Sequence, residues 1–64
     1  MTAPHPLPAI GAPATRALAA IGVTTLDQLA HYRAAELLAV HGFGPRALRL
    51  VSEALDQAGL NLRT

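Results

Sequence analysis

Between Val40 and Val51 the chain reads Val-His-Gly-Phe-Gly-Pro-Arg-Ala-Leu-Arg-Leu-Val: an apolar residue, a glycine-hydrophobe-glycine turn, then the opening of a helix. No other stretch constrains the fold as strongly. Glycines at 42 and 44 let the backbone turn tightly and approach another molecule closely. A helix that begins at Pro45 leaves its first N–H groups without intrahelical acceptors, directed out of the same turn. Groups of that kind attract an anion, so the segment predicts a phosphate-holding turn between two short helices.

The rest of the composition fits a helical answer. With 64 residues there is room for one small domain, and the absence of cysteine removes disulfides and thiolate metal sites as staples. Fourteen alanines and eleven leucines against only 3% aromatic residues favour closely packed short helices over a sheet, hence an all-α fold. No apolar run approaches the ~20 residues of a membrane span, and the N-terminus lacks the basic-then-apolar order of a secretory signal. A cytoplasmic protein without a membrane partner is therefore expected. Five arginines and four acidic residues give a net charge of only +1, which predicts modest affinity for any nucleic acid. Every basic side chain is nonetheless arginine, able to grip phosphate with two parallel hydrogen bonds, and Arg16, Arg46 and Arg49 lie close to the predicted turns.

Along the chain, residues 1–6 carry two prolines and no periodicity and read as a flexible tail, with the domain spanning 7–62. A first helix is expected from Ala12 or Pro13 to Ile21, with Gly22 just past its end. Thr25 and Gln28 match a capping box that opens a second helix of about two turns, inward at Leu26, Leu29 and Ala30. Tyr32 and Arg33 mark a break. A third helix, about Ala34–Val40, has a weak N-cap because Arg33 stands where Ser, Thr or Asp is preferred. The fourth, from Pro45, repeats Leu48, Val51, Leu55 and Ala58 on one face and ends at Gly59. Leu60-Asn61-Leu62 is expected to fold back over the core.

The turn is also repeated. Leu7–Leu18 aligns with Val40–Val51 at an offset of 33 residues, with identities at Gly11/Gly44, Ala14/Ala47 and Arg16/Arg49 and the same order of apolar residue, turn, apolar residue, glycine and helix start. Two related turns, the first without its leading helix, would set two helix N-termini toward neighbouring phosphates.

With these pieces assembled, the chain from about Leu7 to Leu62 resembles helix-hairpin-helix proteins, and in particular the C-terminal domain of the bacterial RNA polymerase alpha subunit. The matching segments are Leu18, Ile21-Gly22-Val23-Thr24-Thr25-Leu26, Leu29, Glu36-Leu37-Leu38, Gly42-Phe43-Gly44-Pro45-Arg46-Ala47-Leu48, Val51 and Ala58-Gly59-Leu60-Asn61-Leu62. The resemblance implies a compact four- or five-helix domain of the SAM-like, helix-hairpin-helix type with two related hairpin turns. It further implies contact with double-stranded DNA through Pro13, Arg16 and Ala17 at the first turn and through Gly44, Arg46 and Ala47 at the second; the turn residues Gly11, Gly42, Phe43 and Pro45, with Arg49, are expected beside them in the DNA-binding surface. A nucleoid-associated location and a DNA-associated partner such as RNA polymerase go with it. The family's groove-reading arginine falls on Pro13 and a family asparagine on Arg16, while Ala47 and Leu50 replace a hydroxyl and a carboxylate. The pattern retained is thus one of backbone-phosphate contact with little sequence preference.

Other residues admit plainer roles. Phe43, at the middle of its turn, is expected to plug the core rather than stack on a base. Arg49 is spaced for an exposed ion pair with Glu53 as well as for phosphate. Leu50 lies off the apolar stripe and needs a cover, either Leu60 or Leu62, a second copy in a weak homodimer, or a docked partner. His5, His31 and His41 share no metal-ligand spacing, no cofactor is implied, and no nucleophile-base set or nucleotide loop points to catalysis. Two functions remain open, a backbone-binding DNA protein and a protein-interaction module on the same fold.

Overall fold

A computed structural model of the protein describes residues 4–63. Every regular element among them is a helix: α1 Ala12–Ala20, α2 Leu26–Leu29, α3 Ala34–Leu38 and α4 Pro45–Gln57. The all-α expectation holds. None of these helices is long and apolar enough to cross a membrane.

The helix ends follow from local chemistry. At the start of α2 the Thr25 hydroxyl accepts the Gln28 N–H at 3.2 Å while the Gln28 side chain accepts the N–H groups of Thr24 and Thr25, which closes the expected capping box. For α3 the missing cap is supplied from inside the helix, where Glu36 Oε1 accepts the Arg33 N–H at 2.8 Å. This helix stops at Leu38, two residues before the expected Val40, as Val40 N–H turns back to Leu37 O. Both longer helices end alike. Val23 N–H reaches Leu18 O and Gly22 N–H reaches Ala19 O after α1; Leu60 and Gly59 repeat the pattern onto Leu55 and Asp56 after α4.

One core joins the helices. Ala14, Ala17 and Leu18 of α1, Val23, Leu26 and Leu29, Leu37 of α3, Phe43, and Ala47, Val51 and Leu55 of α4 are all buried, and no polar or charged side chain among the described residues is buried with them. Alanines at 14, 17 and 47 bring backbones close, which is how so few large side chains fill a core of this size. The internal repeat survives in packing: Ala14 and Ala47 are both buried, Leu18 and Val51 fully so, and each helix starts directly after Gly11 or Gly44.

The N-terminal segment differs from expectation. Residues 1–3 lie outside the described part, but His5 and Pro6 lie against the start of α2. Asp27 Oδ2 accepts the His5 N–H at 2.7 Å, its Oδ1 lies 3.2 Å from His5 Nδ1, and His5 O accepts the Leu26 N–H at 2.9 Å. The His5 N–H and ring hold the Asp27 carboxyl below its ordinary value. From there the strap follows α4 upward, His5–Pro8 sharing a groove with Ala54, Gln57 and Ala58, and Ala9–Gly11 sharing another with Arg46, Ala47 and Leu50. At the opposite end Leu60 and Leu62 pack on the core as expected, and Arg63 N–H donates to Tyr32 O.

Candidate nucleic-acid interface

The two turns meet. Gly42 adopts φ +93°, and a Cβ there would stand 3.1 Å from Pro13 O and 3.5 Å from Ala17 Cβ, so the second turn rests directly on the first turn of α1. That contact demands glycine twice over, through the left-handed backbone and through the lack of room. Gly44 is different. Its φ of −107° and ψ of −179° are ordinary extended backbone, and a Cβ would meet nothing within 4 Å. The expectation that both glycines serve the turn is corrected: Gly42 makes it, and folding alone does not require a glycine at 44.

Packed in this way, the turns line an open groove of about 350 Å³ together with Gly11 and Pro13, Gly44, Arg46 and Ala47, and Ile10 and Leu50. The N-termini of α1 and α4 both open at this groove. Neither helix has a side-chain cap or an acidic residue in its first turn, and each carries a proline there. The N–H groups of Ala14, Arg46 and Ala47 in these first turns therefore have no intrahelical acceptors. Arg46 is exposed at the groove. Among the described residues the sole ion pair is His5–Asp27, so Arg46, Arg16 and Arg49 have no carboxylate partner there, and the spacing-compatible pair Arg49–Glu53 is not formed.

Not every expected contact residue is at the surface. Phe43 is 3% exposed, Ala47 6% and Ala17 7%, all inside the core, which is the role expected of Phe43 but removes Ala17 and Ala47 as contact side chains. Pro45 is exposed at the first position of α4. Arg16 and Arg49 are exposed but do not line the groove. Leu50 also departs from expectation: Leu60 and Leu62 pack on the other flank of α4, beside Ser52 and Leu55, whereas Leu50 is half-buried in the groove wall with Ile10. Sequence reading missed Ala9 and Ile10 as groove residues, although their repeat partners are Gly42 and Phe43. No group of three or more His, Asp or Glu side chains suited to a metal occurs among the described residues.

Comparison of the chain with models of protein families, with curated protein sequences and with solved structures finds no match in any of the three.

Proposed function

We propose that this chain is a helix-hairpin-helix domain that binds double-stranded DNA through its phosphate backbone, with little preference for sequence. The observation that carries the reading is the pair of uncapped helix N-termini opening on one groove beside an unpaired Arg46. Arginine in the first turn of α4 opposes the helix dipole, which an anion seated between them would offset. Gly44 leaves the N-terminus of α4 open to a group as bulky as phosphate, and nothing in the fold itself asks for glycine there. The order of motifs also resembles that of the C-terminal domain in the alpha subunit of RNA polymerase, and with it go a nucleoid location and a binding role rather than an enzymatic one. Pro13 offers no hydrogen-bond donor where that family reads the minor groove, so backbone contact is the mode supported.

A second reading has its own observation. Ile10, Pro13 and Leu50 give the groove an apolar lining that fits a protein partner, such as polymerase or another DNA-associated protein. Amide chemical-shift mapping with a short duplex distinguishes the two. The DNA reading expects shifts concentrated at Gly11–Ala14 and Gly42–Ala47, alike for unrelated duplex sequences; shifts absent from both turns would overturn it.

A further inference from the structure

The charges on α4 are laid out in an order that the monomer does not use. At about 3.6 residues per turn, Arg46, Arg49, Glu53 and Asp56 fall on one stripe directly opposite Val51, which is completely buried. All four are exposed. None has an ionic partner among the described residues, even though Arg49 and Glu53 have the spacing for one. Their order runs against the helix dipole, with arginines toward the positive end and carboxylates toward the negative end. Left alone, the stripe costs the helix stability.

Its symmetry identifies what would complement it. Arg49 and Glu53 lie two residues either side of position 51, and Arg46 and Asp56 lie five either side. A stripe of this kind is its own complement under two-fold rotation, as an isologous contact requires. We propose that the outward face of α4 is a self-association surface on which two copies pair antiparallel, Arg46 against Asp56 of the second copy and Arg49 against Glu53 of the second copy. The two-fold repeats each pair, so four ion pairs form, and the positive end of each α4 lies beside the negative end of the other. Leu50 flanks this stripe without belonging to it, so the contact differs from a dimer built on that leucine.

Exposed ion pairs are individually weak, and four together match at most a dissociation constant of about 1 mM, so the association belongs to the range of about 1 mM or weaker and depends on low salt. A functional consequence rests on the DNA reading above: Arg46 and Arg49 cannot serve a phosphate and a second copy together, so duplex DNA and self-association compete. The pairing itself does not need that reading.

Charge exchange tests it without DNA. Sedimentation equilibrium at about 1 mM protein should show the wild-type mass rising toward a dimer at about 0.02 M salt and returning to a monomer at about 1 M, where screening shortens to about 3 Å. The double variants Arg46→Glu/Arg49→Glu and Glu53→Arg/Asp56→Arg should each remain folded and monomeric at low salt, with helicity checked by circular dichroism. Mixed in equal amounts, they should form a heterodimer at least tenfold tighter than either self-pair. A mixture that stays monomeric, or wild-type association indifferent to salt, would overturn the proposal. The Glu53→Arg/Asp56→Arg variant keeps both arginines and should bind duplex DNA at least as well as wild type, so failure of the pairing and failure of the DNA reading give separate results.

Discussion

Replacing Gly44 by aspartate should make the protein more stable and less able to bind DNA. The position already has the extended backbone of an N-cap, φ −107° and ψ −179°, and a side chain there meets nothing within 4 Å. Losing glycine narrows the unfolded ensemble by about 0.4–1 kcal/mol. A carboxylate that accepts an open N–H of α4 adds a few tenths of a kcal/mol over glycine, and its charge at the positive end of the dipole adds about 0.3–1 kcal/mol. Together these amount to about 1–2 kcal/mol, or a rise in Tm of about 4–16 °C for a domain of this size. The same carboxylate occupies and repels the place proposed for phosphate, so affinity for duplex DNA should fall at least tenfold. Thermal melts followed by circular dichroism and a fluorescence-anisotropy titration read the two effects. A lower Tm would refute the backbone reading of Gly44, and unchanged affinity would refute its place in the interface.

Gly42→Ala should act in the opposite sense on stability: a left-handed alanine costs about 1–3 kcal/mol before the 3.1 Å approach to Pro13 O is counted, so Tm should drop by at least about 4 °C. Arg46→Glu should weaken DNA binding several-fold and make the salt slope shallower by about 1, with helicity retained and Tm unchanged or slightly raised, because Arg46 is exposed and unpaired and a carboxylate in the first turn of α4 suits the helix dipole. The Asp27 clasp predicts a pH dependence: a carboxyl held below its ordinary value of 3.8 stabilises the fold above that pH and loses its contribution as the pH falls through the lowered value. Melting wild type and Asp27→Ala from about pH 6 to about pH 2 should therefore show a Tm difference that shrinks on acidification; a constant difference would mean that the clasp does not hold the strap.

Local chemistry made much of this fold legible. The Thr25–Gln28 box, the glycine-terminated ends of α1 and α4 and the apolar stripe of α4 all depend on residues within about one or two helical turns of each other and follow from spacing, and the burial of Phe43 follows from its place in the middle of its turn. What escaped depends on distant pairs. His5 and Asp27 are 22 residues apart, and a segment with two prolines and no periodicity gives no sign that its backbone will be pinned to α2. The fate of Leu50 was hidden for the same reason, since the strap carrying Ile10, and not the C-terminal leucines, lies beside it. Gly44 was misread because sequence cannot separate a glycine needed for φ from one that merely leaves space. The repeat placed Gly11 and Gly44 in register as helix starts, yet Gly11 has φ +92° and Gly44 is extended.

The most direct test of the proposed function is a titration of a labelled duplex with the wild-type protein over a series of salt concentrations. Two to four arginines and open N–H groups on phosphates predict weak binding, with a slope of log K against log salt of about −2 to −4, and little change when one duplex sequence replaces another. Absence of binding at low salt with hundreds of micromolar protein would contradict the account.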